Sequence, residues 1–156
     1  MRSCSDWRVT LFRQVLTLHL ASLLLPPTLF AQGTITSDWT HSWGGPATDG
    51  GNAVTTDSAA DVYVAGSTTS FGAGGQDVLL LKYDKAGNLL WAKTWGGPAT
   101  ENATAVAIGP DAGVYVTGWT NSFGAGWYDA FLLKFDSSGN LLWQKTWGCS
   151  SYDAGH

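Results

Sequence analysis

From residue 53 onward, apolar residues fall in short runs separated by breaks rich in Gly, Ser, Asn and Asp. The runs cover 53–56, 62–66, 78–83 and 89–95, then 104–108, 114–118, 130–135 and 141–147. They are rich in Val, Leu, Tyr, Phe and Trp, and no stretch after residue 31 carries apolar residues at helical spacing. Each run predicts a β-strand, and the chain reads as all-β. The stretches 77–83 (DVLLLKY) and 129–135 (DAFLLKF) are apolar on both alternating faces. A strand with one face in water alternates apolar with polar, so these two are expected to be covered on both sides.

The pattern is periodic. Residues 43–94 recur as 95–146, with about 31 of 52 aligned positions identical. A further copy begins at Trp147. Four strands in about 50 residues match one blade of a β-propeller, a radial array of four-stranded sheets. Between the third and fourth strands stand Asp84-Lys-Ala-Gly87-Asn88 and Asp136-Ser-Ser-Gly139-Asn140. Glycine supplies a positive φ there, and the Asp carboxylate accepts backbone N–H groups across the turn. The pairs Trp91/Trp95 and Trp143/Trp147 repeat at a spacing of four, which puts both rings on one strand face, ready to pack on the next blade. Trp39 and Trp43 form the same pair one period earlier, so 37–43 is expected to be the last strand of a preceding, incomplete blade.

These residues resemble the SBBP-type β-propeller repeat family of bacteria and archaea. The resemblance is carried by Val114-Tyr-Val-Thr-Gly118, Thr120, Ser122, the run 129–136, Gly139, Asn140 and Trp143. In the first copy it is carried by Val62-Tyr-Val-Ala-Gly66, Thr68, Ser70, the run 77–84, Gly87, Asn88 and Trp91. It implies propeller blades and an exported or cell-surface protein, and it brings no catalytic residue and no cofactor. On this reading 1–31 precede the fold and 32–42 end a broken blade. Blade repeats occupy 43–94 and 95–146, and 147–156 open a truncated third. Two blades cannot close a ring, so further blades or self-association are expected to cover the end faces.

The N-terminus changes the compartment. Arg2, Arg8 and Arg13 precede an apolar run over 15–25, then Pro26, Pro27 and Phe30-Ala31-Gln32. This predicts a secretory signal peptide cleaved after Ala31, with Leu29 departing from the small residue usual three places back. The run is shorter than the roughly 20 residues of a membrane span, and His19 and the proline pair interrupt it. No span is expected after the signal is removed. The remaining chain keeps five lysines against eleven acidic residues, a net charge near −6. That surface repels phosphate backbones and excludes nucleic acid as a partner. Cys149 is the one cysteine after the signal and replaces Gly45 and Gly97 of the earlier copies; no disulfide framework or Cys-based metal site follows from it.

No catalytic motif rises above the repeat. Only His41 and His156 offer imidazoles after the signal, and there is no nucleophile elbow, zinc-helix motif or phosphate loop. Asp84 and Asp136 each bring one carboxylate and one Asn amide to a turn, fewer oxygens than a calcium loop needs. Asp77 and Asp129 recur with Thr68/Ser70 and Thr120/Ser122. They are expected to tie down the preceding loop, or else to line a channel mouth with repeated polar groups. The copies differ most where Ser67 becomes Trp119 and Gly75-Gln76 becomes Trp127-Tyr128. Loop aromatics bind sugar rings or protein partners, and equally they can pack an inter-blade edge. The function expected is a non-catalytic exported binding scaffold with a glycan or protein ligand. The alternatives are part of an exported propeller enzyme, glycan-active or quinone-dependent, or a purely structural array.

Overall fold

A computed structural model describes residues 38–149. The signal-peptide reading of 1–31 and the residues 150–156 of the third copy lie outside the described residues. Among those described there is no helix. Eight strands form two four-stranded antiparallel sheets, ordered β1-β2-β3-β4 and β5-β6-β7-β8. The first holds β1 (Asp49–Thr56), β2 (Val62–Thr68), β3 (Asp77–Tyr83) and β4 (Leu89–Trp95). The second holds β5 (Glu101–Ile108), β6 (Val114–Thr120), β7 (Asp129–Phe135) and β8 (Leu141–Trp147).

The fourth strand of each sheet matches the apolar run in full, whereas β1 and β5 begin earlier than their runs. Asp49, Gly50 and Gly51 carry no apolar side chain, yet they pair with Thr68, Ser67 and Gly66. Cross-strand bonding extends these strands where side-chain pattern gives no signal. The register then shifts between Gly51 and Ala53, and between Ala103 and Ala105 in the second sheet.

The two sheets pack face to face through one core. Tyr63, Ala65, Val78, Leu80 and Trp95 of the first meet Val114, Val116, Phe131, Leu133 and Phe135 of the second. The other face of β3 places Leu79, Leu81 and Tyr83 against Trp43, Val62 and Val64. All seven residues of β3 are buried, as its two apolar faces predict. In β7 only alternate residues are buried: Phe131, Leu133 and Phe135 face the first sheet, while Ala130, Leu132 and Lys134 are half-buried. The expectation of cover on both faces therefore holds for β3 and fails for β7, because no described element packs on that side.

A lysine inside β3 is accommodated by local partners. Lys82 Nζ lies 3.0 Å from Asp61 and 3.6 Å from Asp57, and 4.9 Å from the centroid of the Tyr63 ring. Burial works against its charge, but the Tyr63 hydroxyl and Asp61 outweigh that and hold its pKa above the usual lysine value. Lys134 repeats the arrangement with Asp111 at 2.6 Å and Tyr115.

The expected strand over 37–43 is corrected. Ser37 lies outside the described residues, and 39–43 pair with no strand. The segment nevertheless occupies the place on the first sheet that β4 takes on the second. Trp39 lies against Gly87 as Trp91 lies against Gly139. Trp43 meets Phe71 at 5.1 Å as Trp95 meets Phe123 at 5.0 Å. A strand needs ladder partners to be one, and here the side chains hold their positions without the ladder.

Candidate functional site

The aromatic residues singled out by the copy differences sit at one end of the second sheet, Trp119 on β6 and Trp127 and Tyr128 in the loop from β6 to β7. Trp119 lies on β6, with Ala130 and Asn102 as its cross-strand neighbours. In the first sheet the matching pair is Ser67 and Val78. The swap of a small residue for Trp on one strand is thus matched by a smaller residue beside it. Trp119 is half-buried and meets the Tyr128 ring edge to face, with centroids 4.8 Å apart at 89°. That is within the favourable range for an aromatic pair. Trp127, next in the chain, is 73% exposed.

Their counterparts in the first copy do something different. The N–H groups of Gly75 and Gln76 both donate to the Ala99 carbonyl, at 3.0 and 3.3 Å, and the Gln76 carbonyl accepts from Glu101 N–H at 2.7 Å. A Cβ on Gly75 would stand 2.7 Å from the Ala99 carbonyl oxygen. The position therefore tolerates no side chain where it closes on the next repeat. Trp127 occupies that same position in the second copy. Its ring is incompatible with the close approach made by Gly75, and the edge it stands on is open among the described residues. Packing at an inter-repeat edge thus describes the first copy, and an exposed aromatic edge describes the second.

The repeated turns are structural. Asp84 Oδ1 accepts N–H bonds from Ala86 and Asn88 at 2.9 and 2.8 Å, and Oδ2 accepts the Asn88 side-chain amide at 2.8 Å. Gly87 has φ of 85°, and its N–H donates to the Asp84 carbonyl at 2.9 Å. Asp136, Gly139 and Asn140 repeat every one of these bonds. No group of three or more His, Cys, Asp or Glu able to hold a metal occurs among the described residues.

Both carboxylates are held below their usual pKa. The Asn88 side chain is the largest cause at Asp84, and the Asn140 N–H at Asp136. A lowered folded-state pKa gives stability that is present above the unfolded value near 4 and lost as pH falls through the folded one. Asp84→Ala is therefore expected to lower the melting temperature at pH 7, with the gap from wild type shrinking toward pH 2. Thermal melts at the two pH values check this; a constant gap would contradict the charge argument.

Asp77 ties down the loop before it, as expected, but its donor is a backbone N–H and not the hydroxyls of Thr68 and Ser70. Those hydroxyls donate to Asp49 instead, Ser70 at 2.7 Å, and Gly45 N–H adds a bond of 2.7 Å. The Thr68 hydroxyl, then the Gly45 N–H, hold the Asp49 pKa down to about 2. In the second copy Glu101 takes this role. Its Oε1 accepts from the Thr120 hydroxyl at 2.9 Å and Ser122 N–H at 3.1 Å, and its Oε2 from Gly97 N–H at 2.7 Å. Asp49 and Glu101 were missed in the sequence because they interrupt no pattern. The available signal was an acid kept six residues after Trp43 and Trp95 while its type changed. The backbone donor to Asp77 is the Ala73 N–H, 3.0 Å from its Oδ2.

The other marked residues fall into place around this frame. Trp91 donates its indole N–H to the Ser137 carbonyl at 3.3 Å, and Trp95 donates to Gln144 Oε1 at 2.8 Å. Both bonds join the sheets. Trp143 and Trp147, their repeats, are exposed. His41 stands beside Trp39 and Tyr83, with ring centroids 5.8 and 6.1 Å away, over a cavity of about 220 Å³ between 39–43 and the first sheet. Cys149 is exposed.

No protein-family model matches the chain. Its sequence is similar to the regulatory protein FlaEY of Caulobacter vibrioides, 35% identical over 85 residues. The match takes in 45% of this chain and 9% of FlaEY, so the chain spans less than a tenth of that relative's length.

Proposed function

We propose that the chain is a stretch of a non-catalytic, exported β-propeller of the SBBP repeat type, and that it binds carbohydrate through the aromatic edge of its second sheet. The observation that carries the binding is the edge-to-face pair of Trp119 and Tyr128 beside Trp127, 73% exposed where the first repeat permits only glycine. Flat aromatic faces held rigidly at a water-exposed edge stack on the apolar faces of sugar rings. Exposed apolar area of this kind marks a site of interaction. The propeller reading rests on two near-identical four-stranded sheets packed face to face through a shared core. The outward face of the second sheet is, on this reading, the one that a further repeat would cover. The match to a small part of a much longer protein accords with a module reused in different chains.

The test is titration with neutral oligosaccharides, followed by calorimetry and tryptophan fluorescence. Trp127→Ala is expected to weaken binding about tenfold or more, in line with about 1.5 kcal/mol for a stacked aromatic, and to leave the melting temperature unchanged. Binding that survives both Trp127→Ala and Trp119→Ala would place the ligand elsewhere. A partner captured only as protein, with no response to any oligosaccharide, would replace carbohydrate with a protein ligand at this edge.

A further inference from the structure

The junction between the two sheets contains a pair of buried carboxyl groups, one from each sheet. Asp77, at the head of β3, is 1% exposed, and Glu101, at the head of β5, is 0% exposed. Asp77 Oδ1 is buried without any hydrogen-bond partner. It faces Glu101 Oε2 across Gly96: both oxygens lie within 2.4 Å of the point where a Cβ on Gly96 would sit. The glycine is therefore required, because any side chain there would collide with both carboxyl groups.

An orphaned buried carboxylate oxygen is costly, and two facing carboxylate oxygens are more so. The remaining oxygens already have donors. Asp77 Oδ2 accepts from Ala73, and Glu101 accepts from Gly97, Thr120 and Ser122. What the junction lacks is a single donor between Oδ1 and Oε2. A calcium or magnesium ion takes six or more oxygens, whereas one proton supplies the missing donor completely.

We propose that Asp77 and Glu101 share one proton across the junction, carried on Asp77 Oδ1 and donated to Glu101 Oε2, so that the two sheets are fastened by a carboxylic acid–carboxylate hydrogen bond that opens as pH rises. On opening, the O–H bond of Asp77 breaks, the proton passes to solvent, and two buried negative charges are left facing each other. Burial first, and the neighbouring Glu101 charge after it, raise the Asp77 pKa above the ordinary carboxylate value. Glu101 is the one charged group acting on it; its other neighbours from the loop ahead of β3 are the N–H groups of Ala73 and Gly74. A raised folded-state pKa contributes stability that is complete below the unfolded value near 4 and lost as pH climbs through the folded one. The sign is thus opposite to that of Asp49, Asp84 and Asp136.

Part of the arrangement recurs one period later. Asp129 Oδ1 is likewise buried without a hydrogen-bond partner, pressed against Gly148. The sequence places Asp153 where Glu101 stands one period earlier, outside the described residues.

Asp77→Asn tests the proposal, because its side-chain N–H donates to Glu101 Oε2 at every pH while its oxygen keeps the Ala73 N–H. Melting temperatures of wild type and variant are compared from pH 4 to pH 8. The wild type is expected to fall by roughly 5 °C relative to the variant across that range, about a tenfold change in the folding equilibrium. Parallel curves, or a variant that melts lower throughout, overturn the shared proton. So does a calcium-dependent rise in the wild-type melting temperature that the variant lacks, which would put a cation between the carboxyls. Infrared spectra of wild-type protein labelled with ¹³C at the Asp carboxyl need no variant: a protonated carboxyl stretch that persists above the range in which ordinary Asp side chains ionise supports the proposal, and its loss together with theirs refutes it.

Discussion

Trp95→Ala is expected to cost about 3–5 kcal/mol of folding stability, and Trp147→Ala less than about 1 kcal/mol. The two residues are the same position of the repeat. Trp95 is 9% exposed, its ring centroid lies 5.0 Å from that of Phe123 and 4.9 Å from that of Phe131, and its indole N–H donates to Gln144. Its removal opens a cavity at the junction and leaves the Gln144 amide without that partner. Trp147 is 54% exposed, so truncation removes little that is packed. A cost at the upper end for Trp95 rivals the entire stability of a marginal domain, so that variant is expected to be largely unfolded at 37 °C. Urea unfolding followed by circular dichroism measures both. Equal losses would mean that the outer face of the second sheet is covered in solution as fully as the junction is.

The second large effect lies at Gly66 and Gly118. A Cβ on Gly66 would stand 1.9 Å from the Gly50 carbonyl oxygen, and one on Gly118 the same distance from that of Asn102. The obstacles are backbone atoms of the neighbouring strand, just before its register shift, and they cannot rotate aside as a side chain would. Gly66→Ala and Gly118→Ala must therefore separate the first two strands of a sheet. Each is expected to cost about 3 kcal/mol, the upper end for overpacking or beyond it. Gly50→Ala is the internal comparison. Nothing lies within 4 Å of its would-be Cβ, and a change within about 0.5 kcal/mol is expected. If all three variants melt together, the close approach at Gly66 and Gly118 is not what fixes the strand spacing.

Much of the fold was legible because strand chemistry is local. The runs ending in Tyr83, Trp95, Phe135 and Trp147 became β3, β4, β7 and β8, and the Asp–Gly–Asn turns between them formed bond for bond as their residue types require. The first residues of β1 and β5 were not legible, because Gly50, Gly51 and Asn102 present no apolar pattern and are held only by their neighbours. The aromatic edge was visible as a difference between copies. Its meaning was not, since the same loop position closes on the next repeat in one copy and stands open in the other.

The repeat, the four strands within each copy, the turns that join the third and fourth strands, and the aromatic residues that set the copies apart are all written in the order of residues along the chain. Those follow from the preferences of a residue and its near neighbours along the chain. Packing between the sheets settles which of two identical positions is core. It buried Trp95 and exposed Trp147, covered both faces of β3 and one of β7, and set Asp77 against Glu101. Burial and charge proximity depend on what packs against a face, and a repeated sequence is silent on which copy has a neighbour.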